Sequence, residues 1–255
     1  MKIAVITGAS SGLGRDFARL LVRKDPPEEL WLIARRRDRL EELAAELPVP
    51  CRVLPLDLTD GTDLEAYRAL LEAEAPEVAV LICNAGTARM GRIDEISPAD
   101  TAAMIDLNCR AAALVTAMTL PYIHRGGRIL EVASTAAFQP LPRLGVYAAS
   151  KAFLYRYSRT LSWELHPKGI HVTAVCPYWV KDTEFIPTAQ AGGHRDVRHF
   201  LLAGHSESVV KAAWLASRSG MWLSTPGIIC FLHWIVAKFV PSVVMMALWE
   251  GIRRL

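Results

Sequence analysis

The chain has 255 residues and a mass of 28.1 kDa, enough for one large core and short for two, since chains divide into domains beyond about 250 to 300 residues. Its formal charge of +3, with acids and bases interspersed, excludes the electrostatic footprint of a nucleic-acid binder. Cys51, Cys83, Cys109, Cys176 and Cys230 are scattered without CxxC spacing, which excludes a disulfide frame or a zinc site and reads as small buried hydrophobes in a reducing compartment.

Lys2 to Thr7, KIAVIT, is a short β-branched run, and Met1 leads into it with no signal-peptide anatomy; a cytoplasmic protein is expected. GASSGLG follows, then an amphipathic stretch from Arg15. Strand, glycine turn and helix present backbone N–H groups and a helix N-terminus to a phosphate. Gly8, Gly12 and Gly14 allow the tight turn, and Ser10, Ser11 and Leu13 share it. The alternative is an ordinary connecting loop, but its place after the first strand of an alternating chain favours nucleotide binding.

Leu30 to Ala34 is a second apolar run, ending in Arg35, Arg36 and Arg37 rather than in an acid. At that place an acid would accept bonds from a ribose 2′-OH, whereas Arg suits a 2′-phosphate. NADP(H) is therefore expected, with Arg35 as the leading candidate; the alternative is a solvated charge run. A helical stretch from Asp38 to Leu47 precedes a third strand, Cys51 to Leu56, which ends in Asp57 and Leu58. Asp57 is a candidate for the adenine amino group and equally for a turn or cap.

Leu64 to Ala73 is again helical in period, and Val78 to Cys83 is a continuous apolar run of the kind buried on both faces of a parallel sheet. It meets Asn84, Ala85 and Gly86, small enough for a cofactor to lie against the strand end. Ser97 and Pro98 open a helix that runs through Asn108 to about His124. Asn108, among Leu107, Cys109 and alanines, is either a satisfied core amide or a site residue.

Gly127 to Ala133 gives a fifth strand that delivers Ser134 at its end. The next helix, from Gly145 to about His166, carries Tyr147 and Lys151 four residues apart, stacked on one face one turn apart. An ammonium beside a phenol favours the phenolate, so an acidified Tyr147 is expected as acid and base. Ile170 to Cys176 is a sixth strand that breaks at Pro177. Residues 178 to about 200 lack a clear period and read as a substrate-side loop. Ser206 to Ser219 is a more polar helix, followed by two strongly apolar stretches, Met221 to Ala237 and Phe239 to Trp249. Each uninterrupted piece falls short of the roughly 20 residues of a membrane span. Core or subunit interface, a membrane-docking surface and a true span remain open for them.

With TGASSGLG at 7–14, CNAG at 83–86, Asn108, Ser134 and YAASK at 147–151 in order, the chain resembles the short-chain dehydrogenase/reductase family over roughly residues 1 to 185. The resemblance implies an α/β, doubly wound Rossmann fold with about seven parallel strands and helices on both faces. Residues 1–220 would form that domain, with a substrate loop near 178–205, and residues 221–255 an apolar extension.

It further implies hydride transfer between a nicotinamide cofactor and a carbonyl or alcohol, a small-molecule substrate, and a homodimer or homotetramer. Tyr147 would give or take the proton, Lys151 lower its pKa and hold the nicotinamide ribose, Ser134 donate to the substrate oxygen, and Asn108 join a proton relay through water. Tyr178 stands where many members have Gly after Pro177, and Lys181 and Asp182 separate Val180 from Thr183; these departures bear on the cofactor contacts expected of Pro177, Val180 and Thr183. The rival reading is a non-catalytic dinucleotide-binding regulator or assembly subunit, against which the intact Ser, Tyr and Lys count.

Overall fold

Runs such as KIAVIT and EVAVLIC have apolar side chains on both pleats, so each strand needs cover on both faces. The computed structural model, which describes residues 1–191, 200 and 202–253, supplies it with one sheet between two layers of helices. In chain order the elements are β1 (Lys2–Thr7), α1 (Gly12–Lys24), β2 (Glu29–Ile33), α2 (Arg37–Glu46), β3 (Cys51–Leu54), α3 (Gly61–Glu74) and β4 (Glu77–Cys83). There follow α4 (Pro98–Ile105), a π-helical turn (Asp106–Ala111), α5 (Ala112–Thr119), β5 (Arg128–Val132), α6 (Gly145–Leu165) and β6 (His171–Val175). α7 (Phe185–Ala189), α8 (Ser206–Arg218), β7 (Leu223–Ser224), α9 (Ile228–Phe239) and α10 (Ser242–Ile252) complete it.

The seven strands run in the order β3-β2-β1-β4-β5-β6-β7, all parallel. The expected doubly wound sheet is borne out. Alternation splits each strand between two cores. Ala4 and Ile6 pack with Phe17, Leu21, Leu40 and Trp214 under α1, α2 and α8; Ile3 and Val5 pack with Tyr67, Leu71, Val115 and Leu161 under α3, α5 and α6. After β1 the chain winds outward through β2 and β3, and after β4 it winds the other way. The reversal leaves a crevice beyond the carboxyl ends of β1 and β4, where ligands bind in open α/β sheets.

Two expectations change. The helix read as running from Ser97 to His124 is interrupted: its i→i+4 ladder gives way to a π turn at Asp106–Ala111, centred near Asn108. The loop expected after Pro177 contains the short helix α7; its part over 192–199 and 201 lies outside the described residues.

Candidate active site

Gly8 and Gly12 take φ of +67° and +50°, a left-handed conformation that glycine adopts without a Cβ penalty. A Cβ at Gly8 would stand 2.8 Å from Asn84 Nδ2, and one at Gly14 would stand 2.2 Å from Gly8 O. Any side chain at either position would force β1, β4 and α1 apart. Thr7 and Asn84 tie the strand ends together: Asn84 N and Ala85 N donate to Thr7 Oγ1 at 3.0 Å, and Asn84 Nδ2 donates to Gly8 O at 3.2 Å. The turn Gly8 to Leu13, apart from Ala9, edges a cavity of about 760 Å3, as do Arg35, Asp57, Leu58 and the Asn84–Gly86 strand end. Gly14 sits behind it, as the packing glycine of the turn.

The same cavity is also lined by Ser134, Tyr147, Lys151, Pro177, Val180 and Thr183. Ser134 follows β5; its Oγ accepts from Ala136 N at 3.1 Å, capping a short 3-10 turn. Tyr147 and Lys151 occupy the first turns of α6, both buried, and the ammonium lies 5.9 Å from the phenol ring centroid. Lys151 Nζ donates to Val132 O at 2.7 Å, and a Cβ at Gly86 would be only 3.2 Å from it.

Burial acts on both groups. It pushes the Tyr147 phenol up to about 12, against hydrogen bonding to Ser134, and pulls the Lys151 ammonium down to about 8. The expected acidified phenol is therefore corrected. Desolvation dominates over the hydrogen bond to Ser134, and Tyr147 is a protonated donor across the neutral range.

Asn108 is fully buried behind this wall. Its Nδ2 donates to Thr87 O and to Ser150 Oγ, each at 2.9 Å, and Oδ1 accepts from Thr87 N at 2.8 Å. Ser150 in turn donates to Tyr147 O at 2.8 Å. The amide pins the π turn to the strand end after β4 and to the residue before Lys151.

Asp57 proves a turn former that also edges the cavity. Its Oδ1 accepts from Thr59 N and Oγ1 at 2.9 and 2.7 Å. Burial would raise its pKa, but these bonds and the Arg35 guanidinium, 3.9 Å away, outweigh it and hold the carboxyl below its usual range. Arg35 itself keeps a side chain that is 76% exposed. Val180 lines the cavity beside its single bridge to Gly204, and Thr183 Oγ1 donates to Val180 O at 3.1 Å, bringing its methyl within 3.1 Å of a Cβ at Gly12.

Sequence reasoning missed three contributors. Arg36 binds Glu184, joining the Arg cluster to the segment after β6; the only signal was a charged residue in a loop. His233 Nε2 meets Gln139 Oε1 at 3.0 Å, placing two polar groups at the otherwise apolar end of the cavity. Glu131 lies fully buried in β5, with Oε1 accepting from Thr116 Oγ1 at 2.7 Å. A carboxylate between Leu130 and Val132 was its visible signal. Tyr178 and Trp179 also face the cavity.

A crevice at the strand reversal, with a glycine turn and a hydroxyl–phenol–ammonium set lining it together, defines the class of nicotinamide-dependent oxidoreductases. The model of the short chain dehydrogenase family matches residues 2–192, and the chain belongs to that family. It is 33% identical over 186 residues to the NADP-dependent 3-hydroxy acid dehydrogenase of Escherichia coli, covering 72% of this chain and 74% of that one. A short-chain dehydrogenase from Sphingobium yanoikuyae, solved in complex with NADPH, superposes with a TM-score of 0.80 at 30% identity, covering 96% of this chain and 95% of that one. The bulky-bulky ketone specific alcohol dehydrogenase from Comamonas testosteroni gives 0.74 at 26% identity over 100% and 96% of the two chains.

Proposed function

We propose that the protein is an NADP(H)-dependent oxidoreductase that interconverts a fairly apolar ketone or aldehyde and its alcohol, with Tyr147 as the proton donor and acceptor. The observation that carries this reading is that Ser134, Tyr147 and Lys151 line one cavity together with the glycine turn. The dinucleotide fits these residues: Gly8 to Leu13 for the pyrophosphate, Arg35 for a 2′-phosphate, Asp57 and Leu58 for the adenine, Asn84 to Gly86 for the ribose side, and Pro177, Val180 and Thr183 for the nicotinamide amide. Bound there, the nicotinamide supplies hydride chemistry.

The chain's own residues handle the oxygen. Charge builds on a carbonyl oxygen during reduction, and donors placed where it builds are worth about 3 kcal/mol each. Ser134 Oγ donates to that oxygen, and Tyr147 Oη holds the proton it will receive. Lys151 places its ammonium 5.9 Å from the phenol ring centroid and, anchored on Val132 O, is fixed for the ribose hydroxyls. Asn108 contributes by position, since both its N–H groups are committed; a relay through water then draws on its surroundings rather than on its amide.

The NADP-dependent Escherichia coli relative and the NADPH complex from Sphingobium yanoikuyae support the cofactor, and the Comamonas testosteroni enzyme named for bulky ketones supports an apolar substrate of some size. Steroid-like, acyl and small hydrophobic carbonyls are the classes to try. Assembly as a homodimer or homotetramer belongs to this reading and is supported by Phe153 and Trp163, exposed on α6. So does a cytoplasmic protein with peripheral membrane contact. The test is a carbonyl panel followed by NADPH absorbance, wild type against Tyr147→Phe. Oxidation by the wild type alone is expected. Equal rates would overturn the role of Tyr147, and no rate with any carbonyl or alcohol would favour a non-catalytic binding protein.

A further inference from the structure

The two C-terminal helices expose an apolar surface out of proportion to the rest of the molecule. On α9, Ile228, Phe231, Leu232, Val236 and Phe239 are all exposed, Phe239 to 80%. On α10, Val243, Val244, Leu248 and Ile252 are too. Contiguous apolar patches of this kind mark an interaction surface.

At about 100° per residue, Ile228, Phe231, Leu232 and Phe239 form one stripe along α9, and the residues on its two flanks differ in kind. On one flank Ile229, His233 and Val236 line the active-site cavity. On the other, Lys238 Nζ lies 3.4 Å over the Trp234 ring, and Trp234 stands 5.9 Å from Trp222, itself covered at 3.4 Å by the Arg159 guanidinium. On α10, Leu248 and Ile252 line the cavity while remaining exposed. The cavity thus opens between α9 and α10, through the middle of the apolar face, with a rim of tryptophan and cations along one side.

We propose that α9 and α10 seat this face on the surface of an anionic phospholipid bilayer and that the cavity mouth between them admits its apolar carbonyl substrate from the acyl layer. The proposal rests on the reading of the site as a carbonyl/alcohol oxidoreductase. Three observations select lipid over a second copy of the chain. A partner laid across the face would cap the mouth that substrate and product must pass, whereas lipid leaves it open. The flanking tryptophans suit the headgroup boundary, where an apolar ring and a polar edge are both satisfied. Lys238 and Arg159 put two exposed cations on the tryptophan rim, while Glu250, the single acid of residues 221–253, is already paired with Arg253, a sign complementary to anionic headgroups. At 12 and 11 residues the helices are too short to span a bilayer and the right length to lie in its surface.

Flotation of the full chain with phosphatidylcholine vesicles, and with vesicles containing about a third phosphatidylglycerol, tests the docking directly. The wild type is expected to float with the anionic vesicles and to be released by salt. Phe239→Glu/Val243→Glu, at two positions that do not line the cavity, should stay in the aqueous fraction at least tenfold more. Lys238→Glu should lose the preference for anionic vesicles. Reduction of a short water-soluble ketone should be unchanged in the double variant, which also verifies its fold, while reduction of a long-chain ketone presented in vesicles should fall about tenfold. A wild type that floats with neither vesicle overturns the proposal while leaving the soluble-ketone activity to stand. A double variant that halves the particle mass in light scattering also overturns it, by assigning the face to a second copy. Loss of soluble-ketone turnover in the wild type with flotation intact would strike the active-site reading instead.

Discussion

Arg36 Nη1 donates to Glu184 Oε2 at 2.9 Å, and Nη2 of the same guanidinium donates to Ser10 Oγ at 3.2 Å. Arg39 joins the same carboxylate. Hydrogen bonds from Arg39 and then Arg36 hold Glu184 below the usual carboxylate range. One acid from the segment after β6 thereby neutralises two of the cations beside the glycine turn and leaves Arg35 exposed for a phosphate.

A 2′-phosphate within reach of Arg36 must then compete with Glu184. Glu184→Gln frees both guanidiniums and should tighten NADPH binding two- to five-fold while leaving NADH nearly unchanged, since exposed pairs of this kind are worth about 0.2–1 kcal/mol. Arg35→Ala should weaken NADPH specifically. Fluorescence titrations with both nucleotides decide. Weaker NADPH binding by Glu184→Gln would mean that the carboxylate orders Arg36 and Arg39 for the phosphate rather than opposing it.

The parts of this site that follow one another in sequence were legible in advance. Strand, glycine turn and helix form a local unit, so Gly8 to Gly14 could be placed from residues 2 to 24, and the four-residue spacing of Tyr147 and Lys151 fixes them on one face of α6. Contacts made across long stretches of chain were not. Arg36 meets Glu184 from 148 residues away and Gln139 meets His233 from 94, and no periodicity encodes either. The π turn at Asn108 escaped because its cause is tertiary: the amide bonds Thr87 and Ser150 on two other segments. The phenol pKa was misjudged for a related reason, since spacing reveals the neighbouring ammonium but not the depth of burial that raises the phenol.

Removing the phenol oxygen should separate chemistry from binding. Tyr147→Phe is expected to lower kcat for carbonyl reduction by roughly 10²–10⁴-fold, the range of a positioned acid, while NADPH affinity changes little. Ser134→Ala should cost on the order of 10²-fold, as for the loss of one oxyanion donor. Single-turnover rates with saturating NADPH measure both.

With Tyr147 titrating far above neutrality and Lys151 pulled down to about 8 by burial, Lys151 sets the alkaline limb. kcat/KM for reduction, which reports groups of the free enzyme, should fall as pH rises past about 8, because the ammonium beside the developing charge is lost. Lys151→Arg, which stays charged, should lose most of the rate at neutral pH but flatten that limb. A limb that persists unchanged in Lys151→Arg would assign it to another group.

Glu131 gives the fold a pH dependence of its own. Burial raises its carboxyl from 4.5 to about 8, so between those values the folded chain holds a proton that the unfolded chain has released. Its contribution is complete below the unfolded value, declines as pH rises through the folded one, and is flat beyond. Lys151 acts in the opposite sense above that point: its folded pKa is lowered from 10.5 to about 8, so the unfolded chain holds the extra proton and stability recovers until the five thiols, each raised from 9.0 by burial, begin to act in the sense of Glu131. The two limbs meet near pH 8, and stability should pass through a minimum there, each limb limited to about 1.4 kcal/mol per pH unit. For a chain of this size 1 kcal/mol moves Tm by about 2–4 °C, so scanning fluorimetry from acid to alkaline pH resolves the trough. Glu131→Gln keeps an acceptor for Thr116 Oγ1 and removes the titration. It should abolish the falling limb, raise Tm near pH 8 and start the rising limb of Lys151 at lower pH, since the Glu131 charge that helps hold that ammonium is gone; a falling limb of the same slope in that variant would show that the proton is held elsewhere.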